Sequence, residues 1–403
     1  MLKHAKRRGL AIAVGAACGL ATQAHAGEIE IYGKLYPELT RVWLTGATAK
    51  GTPVSTLTST PAGTPDIAAT AMESPNSRLG FRSVESLGGN LKVFFQLEMG
   101  FGMDTGLNST EVGGLFSRDT FVGIGGDFGT VRLGSMDTVY KNLGDTMSYL
   151  GISSGNFMST SNILSKPGIG TSSAASFHLR RPNSLVYETP EAGGFQALFD
   201  WSLGEVPGDT SKNAVYSAGV KYEAGPLYAA VAWERHNDLF GGSKNIASAL
   251  RNDSNPLAKS RDTAVRLTGQ YKFGKSTRAE VNFAHIEYEE SGGAAGKFRE
   301  YKHNAWSIAA EQKFGAVTLT GSYGRGTAGS CALVGTAPCN TNGLDGEMVN
   351  LGAGYSFSKR TMVFVFASYM GNDRSATYSN YLSGKPAAGQ DIKTAALGIV
   401  HSF

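Results

Sequence analysis

Along most of this chain, hydrophobic and polar positions alternate with a period of two, which predicts β-strands rather than helices. Between Asn90 and Phe101, Leu91, Val93, Phe95, Leu97, Met99 and Phe101 share one face. Lys92, Phe94, Gln96, Glu98 and Gly100 take the other. Between Ala264 and Phe273, Val265, Leu267, Gly269, Tyr271 and Phe273 oppose Arg266, Thr268, Gln270 and Lys272. Val317, Leu319, Gly321 and Tyr323 oppose Thr318, Thr320, Ser322 and Gly324, and Val349 to Phe357 repeats the pattern. Each run spans about ten residues, the length of a tilted membrane strand. An apolar face opposite a polar or glycine face suits a soluble sandwich. It equally suits an outer-membrane barrel, with lipid on one side and water on the other.

The connections separate the two. Short turns follow an aromatic residue in DFGTV at Asp127, YEAGP at Tyr222, KFGKS at Lys272, KFGAV at Lys313 and SFSKR at Ser356. Between them lie long polar loops over 45–74, 140–176, 237–260, 327–344 and 372–390. A sandwich has no reason to keep its turns short at one end only. A bacterial barrel does, with tight periplasmic turns, long outer loops and aromatic girdles.

About sixteen runs are counted, near 28–44, 75–86, 90–103, 114–125, 128–137, 176–189, 195–204 and 214–224. The rest fall near 226–236, 261–273, 276–289, 303–314, 316–326, 345–357, 359–371 and 391–403. The fold expected is all-β: one transmembrane antiparallel barrel over 27–403, wide enough for an aqueous channel. Its last strand carries Ala395, Leu397, Ile399, His401 and Phe403 on one face and stops at an aromatic residue.

The N-terminus adds a destination. Lys3, Lys6, Arg7 and Arg8 precede a short apolar run from Gly9 to Ala21, and Ala24-His25-Ala26 has the small-x-small form of a cleavage site. Residues 1–26 therefore read as a cleaved export signal. Those 26 residues hold four of the 37 basic residues and none of the 33 acidic ones, so the remaining chain is formally neutral. That balance, without a basic stripe, speaks against nucleic-acid binding. In an exported chain, Cys331 and Cys339 in one polar loop suggest a disulfide. A metal pair is the alternative, but no His or acidic residue lies between them.

Several blocks resemble the Gram-negative general porins, the trimeric sixteen-stranded proteobacterial type. They include EIYGKL near the mature start, SRLGFRSVESLGGNLKVFFQLEMGF at 77–101 and LFSRDTFVGIGGDFGTVRLGS at 115–135. VYKNLG at 139–144, RRPNSLVYETPEAGGF at 180–195, YSAGVKYEAGPLYAAVAW at 216–233 and the final GIVHSF continue the likeness. The resemblance implies a homotrimer in the cell outer membrane, in contact with lipid and lipopolysaccharide. It also implies a third loop folded into the pore, and passive diffusion of small hydrophilic solutes and ions.

By motif match, Lys34, Arg78, Arg118 and Arg180 are the basic wall of the constriction. The match at Arg118 sets Phe121 and Gly123 outward and Val122 into the lumen. Arg82 and Arg132 join the wall by alternation alone. The acidic side is reduced to Asp137 and Asp145, because the third loop reads SYLGISSGNFMSTSN where the family places an acidic cluster. What is expected is a basic wall facing a neutral, hydroxyl-rich loop. A ring of cations in a narrow throat concentrates anions, so an anion-preferring channel is expected. The bland alternative is that lumen acids such as Glu98 or Glu188 neutralise the arginines. Further alternatives are a porin selective for small carboxylates or phosphates, and a plugged structural or adhesive barrel.

No enzymatic constellation stands out. His178, His236, His285, His303 and His401 are isolated from one another, and no pair has metal-ligand spacing. His236-Asn237-Asp238 at a strand end reads as a loop start. Gly123-Ile124-Gly125-Gly126 is followed by a tight turn and a strand, the wrong context for a dinucleotide loop. No catalytic residue, metal or cofactor is expected.

Overall fold

The structure, a computed structural model, describes residues 27–106, 114–152, 157–380 and 385–403. The expected export signal, 1–26, lies outside them. The described strands are β1 (Glu30–Leu35), β2 (Glu38–Thr45), β3 (Ile67–Glu73), β4 (Arg78–Gly88), β5 (Leu91–Gly100), β6 (Thr120–Gly126), β7 (Gly129–Asp137), β8 (Arg180–Glu188) and β9 (Phe195–Ser202). They continue as β10 (Val215–Ala224), β11 (Leu227–Asn237), β12 (Lys259–Phe273), β13 (Thr277–Ser291), β14 (Phe298–Phe314), β15 (Val317–Gly326), β16 (Ser330–Leu333), β17 (Gly346–Ser356), β18 (Thr361–Asn372) and β19 (Asp391–Ser402).

All nineteen belong to one antiparallel sheet that closes on itself. β19 pairs with β1 at Leu35↔His401 and with β2 at Arg41↔Ala395, so the sheet has no open edge. β1 and β2 form one stave, β3 and β4 another, and β16 is a flap on β14 beyond the end of β15. Nineteen strands less these three give sixteen staves. The first break falls at Tyr36-Pro37, where proline offers no N–H to the ladder. Across it, the Tyr36 N–H donates to Ser77 Oγ at 2.8 Å, in the matching break between β3 and β4.

Alternation decides which face meets lipid. In β12, Leu267 is 50% exposed, while Arg266, Thr268 and Gln270 point inward and are buried. Outward Leu351, Val365 and Leu397 are likewise exposed. Phe128, Phe273, Phe314 and Phe357 ring the short-turn end, as aromatic girdles do at a membrane boundary.

Three boundaries differ from expectation. Ile67–Glu73 is a strand inside the stretch expected to be loop; its Ala- and Thr-rich sequence carries little hydrophobic contrast. β6 starts at Thr120 rather than near 114, and β14 reaches back to Phe298. In β6, Val122 and Ile124 face outward and Phe121 and Gly123 inward, the reverse of the parity first assigned. Register sets this, since Gln96 pairs with Phe121 and Phe94 with Gly123 on the lumen face.

The third long loop, 138–179, runs inside the barrel. Its helix α1 (Val139–Gly144) packs on β9 to β12, and α2 (Ser161–Leu164) on β13, β14, β15 and β17. Leu150, Phe157, Met158 and Ile163 join inward Val42, Leu44, Phe364, Phe366 and Met370 in one buried cluster. Val139, Leu143 and Phe177 join Ile286, Tyr288 and Tyr301 in a second. β18 is apolar on both faces for this reason: lipid lies outside it and the loop inside. Gly352 serves the same packing, because a Cβ there would lie 2.7 Å from the Leu150 side chain.

Candidate functional site: the pore constriction

The loop covers the wall from β9 round to β2, and the uncovered wall carries the basic residues. Lys34 on β1 pairs in register with Arg78 on β4, so both sit at one height and on one face. Lys34 Nζ donates to the Gly151 carbonyl of the loop at 2.6 Å. Arg78 Nε lies 3.5 Å from Glu98 Oε2, and Arg118 Nε donates to Glu98 Oε1. Tyr32 donates its hydroxyl to the same carboxylate at 2.9 Å. Arg118 enters this cluster from the loop before β6, where strand alternation does not apply. Arg180 donates to Asp119 at 2.7 Å and lies 2.8 Å from Asp137, and Lys141 of α1 is 2.9 Å from Asp137.

Two expected wall residues stand lower. Arg82 is four residues below Arg78 along β4, about 13 Å toward the short-turn end. It makes a two-bond pair with Glu30, both bonds 2.7 Å, and its guanidinium stacks 4.9 Å over Tyr32. Arg132 bonds Glu188 and lies 5.2 Å over Phe121. Among the described residues, neither bonds to the third loop.

The two acids expected across the pore are also placed differently. Asp137 ends β7 and is neutralised by Lys141 and Arg180. Asp145 turns to the opposite wall, where it bonds Arg266 Nη1 at 3.2 Å, His178 Nε2 at 2.6 Å and Ser161 Oγ at 2.6 Å. Arg266 is 1% exposed and also donates to the Gly144 carbonyl at 2.6 Å. Gly144 permits this approach: a Cβ there would sit 2.3 Å from the guanidinium. Arg266 therefore pins the loop to the wall. Its place on the polar face of β12 was legible in the sequence, but its partner was not. Asp119, Lys141 and Lys166 were missed as well. The two lysines correct the expectation of a neutral loop.

Burial acts to raise the Asp145 carboxyl, but the His178 ring, the Arg266 guanidinium and the Ser161 hydroxyl outweigh it. The group is held well below the usual carboxylate range. The stabilisation it gives is thus present at neutral pH and lost only as pH falls through that lowered value. The Asp145 carboxylate is therefore expected to stay charged in single-channel records from pH 7 down to about 4. Any change of open level in that range is expected to come from its partner His178, whose ring burial holds below its usual value, and to be absent in His178→Gln. An acid-induced change that persists in His178→Gln and is abolished by Asp145→Asn would refute this.

Elsewhere, Cys331 and Cys339 are disulfide-bonded, with Cα atoms 5.7 Å apart. His236 is buried, 2.9 Å from Glu234, and stacks on Phe177 of the third loop at 4.3 Å. Glu287, Glu289 and Glu300 converge near the long-loop end, with Lys302 Nζ 2.9 Å from Glu300.

A closed sixteen-stave barrel, apolar outside and narrowed by an inward loop lined with ion pairs, defines a channel-forming barrel of the bacterial outer membrane. A family model described as Gram-negative porin matches residues 9–375. The chain belongs to that family. It is 28% identical to the major outer membrane protein P.IB of Neisseria gonorrhoeae over 306 residues, 74% of this chain and 79% of that protein. It is also 28% identical to outer membrane porin protein 32 of Delftia acidovorans, over 81% of this chain and 84% of that one. Among solved structures, an anion-selective porin from Comamonas acidovorans superimposes with a TM-score of 0.66 at 21% identity, over 94% of this chain and all of that one. A Vibrio cholerae outer-membrane protein in a trimer form gives 0.61 at 17% identity, over 94% and 100%. The protein is an outer-membrane porin, a water-filled channel.

Proposed function

We propose that this porin passes small hydrophilic solutes and ions by diffusion and favours anions. The observation that carries this reading is the accounting of charge at the constriction. Arg78, Arg118, Arg180, Lys141 and Arg266 are linked to four carboxylates, Glu98, Asp119, Asp137 and Asp145. Lys34 adds a cation bonded to a carbonyl. Other inward carboxylates, at Glu38, Asp200, Glu234, Asp262 and Glu280, are at most 3% exposed and offer little to passing solutes. Surplus positive charge in a low-dielectric throat raises the local anion concentration. The Comamonas acidovorans barrel of similar fold is itself described as anion-selective.

The expected result in a planar bilayer across a KCl gradient is discrete open steps whose reversal potential lies toward that of chloride. A potential toward that of potassium overturns the anion preference, and silence points to a plugged barrel. In the same reading, residues 1–26 are removed on export, the mature chain assembles as a homotrimer, and lipid and lipopolysaccharide surround it. The ordered constriction residues of this reading are Lys34, Arg78, Arg118 and Arg180, with Lys141 and Lys166 on the loop.

A further inference from the structure

Between β2 and β3 the chain leaves the barrel wall and returns to nearly the same point. A Cβ on Gly63 would lie 3.3 Å from the Lys50 amide nitrogen, so residues 51–62 form a loop whose ends touch. Six residues out and six back reach about 20 Å. The tip of this loop is held by three other long loops. Leu57 is 0% exposed and shares a buried cluster with Ile169 of the third loop, Ile246 and Leu344. Ala247, in the loop after β11, donates its N–H to the Leu57 carbonyl at 2.9 Å. The Thr56 N–H donates to the Asn340 carbonyl at 3.1 Å, and the Asn340 side-chain amide donates back to Thr56 Oγ1 at 3.0 Å. The Ser55 N–H donates to Ser375 Oγ, in the loop after β18, at 2.8 Å. Asn340 directly follows Cys339, and the Cys331–Cys339 bridge packs against the same cluster as Leu57.

Stave order shows what the loop crosses. With β1–β2 and β3–β4 as the first two staves and β5 as the third, β11 is the ninth of sixteen. The bond between Leu57 and Ala247 therefore joins loops rooted on opposite sides of the ring. The return limb, from Thr58 to Ala62, borders a recess of about 350 Å3 together with Thr171 and Lys244. Both of those residues also line a cavity of about 640 Å3 that is bordered by Lys141 and Arg180 of the constriction. The limb is thus an edge of the outer entrance.

We propose that residues 51–62 are a strap across the outer mouth, anchored by Leu57, that limits the size of solute admitted from the long-loop side before the constriction is reached. The proposal rests on the reading of an open diffusion channel and deepens it, by adding an outer sieve. Compact loops with touching ends are frequently functional. Burial of the Leu57 side chain holds the strap down, and a carboxylate at that position cannot be buried there without a partner. Leu57→Asp therefore expels the tip. An extended chain occupies about 5 Å of width, so lifting it opens the entrance by a comparable amount. The narrowest point for small ions stays at the constriction.

The test is exclusion of polyethylene glycols from single channels in KCl, with polymer added on one side at a time. A polymer that enters the mouth lowers the conductance, and one too large leaves it unchanged. The variants are Leu57→Asp and a chain lacking 51–62, in which Lys50 joins Gly63 directly. In both, the largest polymer that enters from the long-loop side is expected to rise about twofold in mass, because coil size grows roughly as the square root of length. From the short-turn side the limit is expected to stay where it is. Leu57→Met is expected to match the unmodified protein. Open steps show that a variant has folded, and either one that gives them suffices. An unchanged limit from the long-loop side overturns the proposal. So does an equal rise from both sides, which would place the change at the constriction. The two readings fail separately. Silence in the unmodified protein removes the open channel, whereas open steps with an unchanged limit remove only the strap.

Discussion

Arg266→Met is expected to free the third loop from the barrel wall and to change the channel more than any other single substitution. The guanidinium holds the Gly144 carbonyl, the Asp145 carboxylate and Asn282 Oδ1 from a position 1% exposed. Met fills comparable volume but offers no donor. Asp145 is then left as a buried charge with His178 and Ser161 alone. Removing one partner of a buried ion pair costs about 3–5 kcal/mol. The barrel staves are joined by their own ladders and remain closed, so the loss falls on the docking of the loop. The measurements are single-channel conductance and denaturant unfolding followed by tryptophan fluorescence. A higher, noisier open level is expected, with earlier loss of structure. Conductance and stability both equal to the unmodified protein would rule out the anchoring role.

Glu98→Gln carries the second large effect. One carboxylate serves Arg78 and Arg118 and accepts from Tyr32. Gln keeps the shape and one acceptor and removes the charge, leaving both guanidinium groups with their field unopposed. At about 8 Å and a water-like dielectric, one unit charge shifts an ion by about 0.5 kcal/mol. The shift has opposite signs for anion and cation, so their permeability ratio moves by about 1 kcal/mol, roughly fivefold toward chloride. The reversal potential reads this directly. No movement, or movement toward potassium, would place Glu98 outside the ion path.

The staves were legible because membrane strands repeat a two-residue contrast and their turns announce themselves with Gly after an aromatic residue. Where contrast was weak, in the Ala- and Thr-rich Ile67–Glu73, the strand was missed. Lys34, Arg78, Arg118 and Arg180 were named by motif; Lys34 bonds the loop, Arg180 pairs with Asp137 just before it, and Arg78 and Arg118 share Glu98. Arg82 was placed at the constriction by parity alone and stands lower, because alternation fixes a face but not a height. Arg266 was equally visible on the polar face of β12. Its importance depends on which wall the loop leans against, and that is settled by contacts between residues more than a hundred positions apart. The alternation marked the inner face only as the polar one. Part of it is apolar and dry, because Leu150, Phe157 and Ile163 of the loop cover it.

That lean of the loop also works as a brace. Helix α1 rests on β9 to β12 and α2 on β13, β14, β15 and β17, while Leu150, Phe157 and Ile163 share one buried cluster with Val42 and Leu44 of β2 and with Phe364 and Ile392 of β18 and β19. The seam where β19 meets β1 and β2 is therefore held from inside by side-chain packing as well as by its own ladder.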